Sequence, residues 1–392
     1  MTISTTKRGL AALAAIVLAA AACGGGATTA PTQGSQASTP AGTTAPASQS
    51  AATGPFTIGY SNGGGVGNGF REEQVCTAKA EVKALGTDKI SGITVIHRNT
   101  DAAGQLADLR TLISDKVSAL VFNPNDPDAL NPALAEAHAA GIVTVSVDAY
   151  VTDPNTWNLY NNQVKYAYLG AKWLFQTMGN KGTVWYTRGL AGHPADSDRD
   201  IGFNQALKEV NAAGGNIVIQ NPGGTFTGWD PATSTQITND EIASGKYDKI
   251  QGIWASGMGA QIVDAIKAAN KKFVPIADAD IGAFVAQLLN PTDYPGLVGA
   301  AVTNTASVGG AGVNLAYKLL TGQTVTPSTG AGRPNTILLD PQILDNTTDA
   351  GRTALKAWIS VPGMDPLWPL SLSIPNWTDY DPNTVPSSCS GA

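Results

Sequence analysis

The sequence predicts an α/β fold built as two Rossmann-like lobes with parallel sheets, and two observations carry that reading. From Phe56 onward, short β-branched runs alternate with longer amphipathic stretches. Strict alternation of strand and helix gives parallel strands joined by right-handed crossovers. The roughly 340 residues involved exceed what one such sheet usually holds, so two lobes are expected.

The strand candidates, in order, are Phe56 to Tyr60, Ile93 to His97, Ala119 to Phe122, Ile142 to Val147, Thr183 to Tyr186, Ile217 to Ile219, Gly252 to Trp254, Phe273 to Ile276 and Gly296 to Val302. Each is a short apolar run of the kind that sits inside a buried sheet. Helical patterns lie between them. In the second, Leu106, Leu109, Leu112 and Ile113 recur at the spacing of one buried helix face. After about Leu339 the rhythm fades. Trp358, Trp368 and Trp377, set among Pro362, Pro366, Pro369 and Pro375, suggest an extended tail held by aromatic packing across a lobe.

The residues before Phe56 have another texture. The apolar run Gly9 to Ala22 is 14 residues long, whereas a membrane-spanning helix needs about 20. Lys7 and Arg8 precede it, small Ala residues fill its end and Cys23 follows, which reads as a bacterial lipoprotein signal peptide over residues 1–22. Ala20-Ala21-Ala22-Cys23 resembles a lipobox in which Cys23 is lipidated, with Ala20 where Leu is commoner. Ordinary signal cleavage nearby would export the protein equally. Residues 24–54 carry only Gly, Ala, Thr, Ser, Pro and Gln and cannot bury enough apolar surface to offset ordering entropy. Residues 23–54 are therefore read as a flexible tether, with a coil dimension of about 30 Å.

The chain is 14% charged with a net charge of -6; without Lys7 and Arg8, 22 basic residues face 30 acidic ones, giving -8. No basic field attracts nucleic acid. Three scattered His residues without a Cys pair offer no zinc site.

In open parallel sheets, ligands sit just past the carboxyl ends of the strands. The first such loop, Ser61-Asn62-Gly63-Gly64-Gly65-Val66-Gly67-Asn68-Gly69-Phe70-Arg71, is glycine-rich. It lacks the glycine spacing of a dinucleotide site, and Arg98 and Asn99 follow the next strand where an acidic residue would be needed, so no cofactor is expected. What it offers is an amide, an aromatic face and a guanidinium at Asn68, Phe70 and Arg71. Gly59 to Gly63 matches the hydrolase elbow in letters only, without a supported His partner. Asp148 and Asp278 could be imagined as glycosidase carboxylates, but their separation is not legible in sequence.

Several stretches together resemble a known family. They are Asn99-Thr100-Asp101 with Gln105, Phe122-Asn123-Pro124-Asn125-Asp126-Pro127-Asp128-Ala129-Leu130, Ala140-Gly141-Ile142 leading to Ser146-Val147-Asp148, Gly189-Leu190-Ala191-Gly192, and Asp198-Arg199-Asp200-Ile201-Gly202-Phe203. Trp229-Asp230, Ala277-Asp278 and Thr303-Asn304 follow in order. Over about residues 55–325 the chain resembles the periplasmic sugar-binding proteins of ABC importers, of the ribose and galactofuranose type.

The resemblance implies the type I periplasmic binding fold, with two lobes joined by a hinge of three crossings and a sugar closed between them. It implies that Asn68 and Phe70 are first-lobe contacts, that Asp148 accepts hydroxyl hydrogen bonds, that Arg199 donates several, that Trp229 faces the sugar, that Asp278 accepts from it and that Thr303 or Asn304 lies near a crossing. Ala149 stands where the ribose type has Arg, and Arg71 would supply the guanidinium instead. Ala255-Ser256-Gly257-Met258-Gly259 replaces the usual Asn-Asp. Pentose, hexose and acyclic sugar alcohol all stay open.

Blander roles stay open beside these. Trp229 could pack within its lobe, Arg199 could form a lobe salt bridge, Asp148 and Asp278 could cap helices, and His193 could serve ligand or turn. An exported location permits a disulfide. Cys76 and Cys389 are expected to pair and pin the tail to the first lobe, the alternative being two free thiols.

The expected organisation is residues 55–161 plus about 304–335 as the first lobe, about 162–303 plus 336–345 as the second, and 346–392 as the tail. The expected function is that of a monomeric, non-enzymatic substrate-binding protein, held outside the cell membrane by lipidated Cys23 and serving an ABC permease and its ATPase. A sensor that presents bound sugar to a receptor or kinase is the alternative. The lac-repressor-type regulators share this fold, but export and the lack of an N-terminal helix-turn-helix speak against them.

Overall fold

A computed structural model describes residues 53–64, 66–330, 332–358 and 361–389. Cys23, the signal peptide and nearly all of the tether lie outside the described residues. Among those described, no helix is long and apolar enough to cross a membrane.

The first lobe begins with β1 (Phe56–Asn62), α1 (Gly69–Leu85), β2 (Ile90–His97), α2 (Ala102–Ser114), β3 (Ala119–Asn123), α3 (Asn131–Ala139), β4 (Val143–Val147) and β5 (Trp157–Asn161). The chain then builds α4 (Gln163–Thr177), β6 (Lys181–Arg188), α5 (Pro194–Ala212), β7 (Asn216–Ile219), β8 (Thr225–Phe226), α6 (Pro231–Ala243), β9 (Gly252–Trp254), α7 (Gly259–Ala268), β10 (Ile276–Ala279), α8 (Gly282–Leu288) and β11 (Gly299–Val302). It returns through α9 (Val308–Leu320) and β12 (Thr336–Leu339), and ends in β13 (Ile343–Asp345), α10 (Asp349–Trp358) and α11 (Val385–Ser388).

Two sheets result. The first has the order β12-β5-β4-β3-β1-β2 and is parallel throughout. The second runs β13-β11-β10-β9-β6-β7, parallel except for β13, with the short β8 beside β6. Ile58, Val121 and Val145 pack beneath α1 and α9, while Leu120 and Phe122 face Leu109 and Leu134 on the opposite side of the same sheet. Burial on both faces explains why these strands read as continuous apolar runs. The second core centres on Trp185, Trp254, Phe175 and Phe203.

Loops at the carboxyl ends of the strands double as helix caps. Side chains of Asn68, Asp101, Asn162 and Asp230 accept backbone N–H groups in the first turns of α1, α2, α4 and α6. This fixes the loops facing the other lobe by the same bonds that start the helices.

Up to β13, three connections cross between the lobes: β5 to α4, β11 to α9 and β12 to β13. They are tied together, since Asn161 Nδ2 donates to the Thr305 carbonyl at 3.0 Å and Gln342 N donates to Thr303 Oγ1 at 2.8 Å.

The structure corrects the expected organisation in three places. Residues 336–345 do not all join the second lobe, because Thr336–Leu339 pairs with β5 while Ile343–Asp345 pairs with β11. The polar β5, Trp-Asn-Leu-Tyr-Asn, went unread as a strand, and it creates the edge that β12 occupies. The strand expected at Phe273 to Ile276 starts only at Ile276, after Pro275, which has no N–H for the ladder. Finally, the tail is not uniform: α10 belongs to the second lobe, with Leu355 in its core, and the chain beyond α10 forms a fourth crossing back to the first.

Candidate ligand-binding site

A cavity lies between the lobes at the carboxyl ends of both sheets. Asn68, Phe70, Arg71 and Asp148 face it from the first lobe, Arg199 and Trp229 from the second, and Asn304 from a crossing.

Asn68 ends the loop after β1. Its Oδ1 accepts from Arg71 N at 3.2 Å, leaving Nδ2 to donate across the cleft to the Trp229 carbonyl at 2.9 Å. Half-buried Phe70 stands on the first turn of α1. Arg71 is buried, donates from Nη1 to Asn62 Oδ1 at 2.7 Å, and places Nη2 3.2 Å from His193 Nε2 on the other lobe. The lobes therefore meet across the cavity.

Asp148 follows β4 with φ 66°, in the left-handed region, and lines the cavity. Asn123 Nδ2 donates to its Oδ2 at 3.0 Å. Burial raises its pKa, while the charges of Arg71 and Arg199 pull it back down. The buried guanidinium of Arg71 is disfavoured in turn, an effect Asp148 opposes.

Arg199 occupies the second turn of α5. Its Nε donates to Gln163 Oε1 at 2.8 Å and its Nη1 to the Ser256 carbonyl at 3.2 Å. The guanidinium lies 4.4 Å from the Tyr166 ring and 5.4 Å from that of Trp229. These contacts fix its plane and leave N–H groups uncommitted.

Trp229 has φ 53° and donates from Nε1 to the Ser256 carbonyl at 2.9 Å. Its indole occupies space that only glycine at 189 leaves open, since a Cβ there would lie 1.9 Å from the ring. His193 meets the ring edge-on at 5.1 Å. Burial and the two guanidinia push the His193 pKa well below its ordinary value. Its Nδ1 accepts from Ala195 N at 3.2 Å and starts α5.

Asp278 is a correction. Its two oxygens accept the backbone N–H groups of Gly257 and Gly259, and it lies off the cavity wall. Burial lifts its pKa to about 6 against the pull of those amides. The carboxylate holds the loop that replaces the usual Asn-Asp, and the N-terminus of α7 favours a negative charge there.

Sequence reasoning missed Gln163, which joins Arg199 to Asn304 by donating from Nε2 to Asn304 Oδ1 at 3.0 Å. The signal was the unread strand before it. Met258, Gln261 and Leu367 also reach the cavity; Leu367 comes from the tail, whose path gave no periodic clue. Among the described residues, no group of three or more His, Cys, Asp or Glu is arranged to hold a metal. Away from the cavity, Cys76 and Cys389 are disulfide-bonded with Cα atoms 5.1 Å apart.

Known proteins are similar in sequence and fold. The ribose import binding protein of Bacillus subtilis is 26% identical over 228 residues, 55% of this chain and 70% of that protein. The xylitol-binding protein of Mycolicibacterium smegmatis is 24% identical, with 58% of this chain and 63% of its own length aligned. An ABC transporter solute binding protein from Thermobispora bispora superposes with a TM-score of 0.69 at 22% identity, covering 83% of this chain and 92% of that one. The sequence pattern of the periplasmic binding protein domain matches residues 58–324. With two parallel-sheet lobes enclosing a cavity and a match over more than half its length, the chain belongs to the periplasmic binding protein domain family.

Proposed function

We propose that the protein is a lipid-anchored, extracytoplasmic substrate-binding protein of an ABC importer, carrying a small sugar or sugar alcohol between its lobes. Its family carries substrates without transforming them, and the protein is not an enzyme. One observation carries the ligand class: two buried guanidinia and an acceptor carboxylate share one cavity with an indole and a phenyl ring. A polyhydroxyl ligand answers each of these groups. Its hydroxyls donate to Asp148 and accept from Arg71, Arg199 and Asn68, while its C–H face lies against Trp229 or Phe70.

Ribose and xylitol, named for two of the relatives, belong to this ligand class. In the cell, lipidated Cys23 would hold the monomer at the membrane, and the closed form would be delivered to the permease and its ATPase. Ligand stabilises that form through contacts made only when both lobes engage.

A thermal-shift screen of pentoses, hexoses and sugar alcohols tests the reading. A ligand at 100 times its Kd adds about 2.7 kcal/mol to the folded state. A panel in which no member raises Tm overturns the ligand class.

A further inference from the structure

We propose that Leu367, supplied by the C-terminal tail, sets the upper size limit of the ligand; the inference rests on the carrier function above.

The tail is fitted to both lobes where it passes the cavity. On the second-lobe side, the carbonyls of Pro366 and Trp368 accept from Ala283 N and Gly282 N at 2.7 and 2.8 Å, and Leu370 N donates to the Asp280 carbonyl at 3.0 Å. On the first-lobe side, Trp368 and Leu372 pack with Cys76 and Ala80 of α1. Ser371 ties the same stretch to the crossings, its carbonyl accepting from Ser307 Oγ at 2.8 Å and its own Oγ donating to Asp280 Oδ2 at 3.0 Å.

Leu367 sits between these anchors and is the tail residue on the cavity wall. Its backbone is pressed against the first turn of α1, where a Cβ on Gly69 would lie 2.4 Å from the Leu367 carbonyl. The next residue along that helix is Phe70, also on the wall. Leu367 is therefore a half-buried aliphatic group on the same wall as Phe70 and Ile281, and its position is set by the backbone bonds of its neighbours to one lobe and their side-chain packing on the other. It has no hydrogen-bonding function to give a sugar. What it does is exclude volume on its side of the cavity, leaving the choice of hydroxyls to the polar groups.

The test is calorimetric titration of the wild type, Leu367→Ala and Leu367→Phe with glycerol, xylitol, ribose, glucitol and glucose. Leu367→Ala is expected to shift the six-carbon to five-carbon affinity ratio by on the order of tenfold in favour of six carbons, the scale for a few methylenes of pocket space. Leu367→Phe is expected to weaken xylitol and ribose about tenfold relative to glycerol. Ratios within one variant are unaffected by a general loss of stability, and thermal unfolding with a free-thiol assay confirms that each variant is folded and disulfide-bonded. If Leu367→Ala does not fold, the Phe variant decides. Unchanged ratios in the folded variants overturn the role of Leu367. If the wild type binds none of the five compounds, the ligand class proposed above is overturned, and this inference falls with it.

Discussion

Replacing Arg199 offers the sharpest test of the binding geometry. The guanidinium presents five N–H groups; Nε is bonded to Gln163 and one Nη1 hydrogen to the Ser256 carbonyl. Three donors are left for a ligand, held in one plane by Tyr166 and Trp229. A hydrogen bond to a charged group contributes roughly 1.5 to 3 kcal/mol. Losing one such bond in Arg199→Ala should weaken binding about 10- to 150-fold, at about 1.4 kcal/mol per decade. Folding should suffer less, because Gln163 keeps Asn304 and the Ser256 carbonyl keeps Trp229. Arg199→Lys should recover little, since an ammonium neither spans Gln163 and Ser256 together nor stacks as a plane. The assay is calorimetric titration with the best ligand of the screen, alongside Lys271→Ala, whose ion pair with Asp248 is a surface contact. An Arg199→Ala affinity within twofold of wild type would refute the reasoning.

Gly189→Ala should displace the Trp229 indole and lower affinity about tenfold, on the scale of an aromatic contact; unchanged ligand-induced tryptophan fluorescence would contradict it. Asp278 and Asp280 both have pKa values raised to about 6, chiefly by burial, against about 3.9 in the unfolded chain. The stability these two groups contribute is full below about pH 4 and is lost as pH rises through about 6. Tm should fall from pH 5 to pH 7 with a slope that flattens in Asp280→Asn, and an identical slope in the variant would count against this account. Titration of the unfolded, unreduced protein should find Cys76 and Cys389 unreactive to thiol reagents, and two free thiols at these positions would rule out the bridge.

The parts legible in the sequence were those governed by local pattern. Runs such as Ala119 to Phe122 are apolar because both sheet faces are covered, and the loops after them begin with residues that cap helices. Arg199 and Trp229 were singled out by the family resemblance, and both lie on the cavity wall. Gln163 and β5 escaped because a polar strand at a lobe boundary lacks the apolar signature that betrays a buried one. Asp278 was misplaced because a carboxylate at a strand end has two competing partners, ligand hydroxyls and the N–H groups of an adjacent loop. Only the path of Gly257 to Gly259 decides between them. Leu367 was out of reach for a different reason: its place on the wall depends on its own contact with Gly69 and on those of Pro366 and Trp368 with Gly282, far away in sequence and on different lobes.

The tail also imposes an order on assembly. Cys389 bonds to Cys76 across a separation of 313 residues, and Leu367 joins a wall that begins at Asn68. A chain emerging from its amino end has both sheets, through β13, and both guanidinia before the segment that finishes the cavity exists. That segment is also part of both cores, since Leu370 packs in the second lobe and Ile374 in the first, so a chain cut after α10 would lose packing from each lobe together with the Leu367 wall.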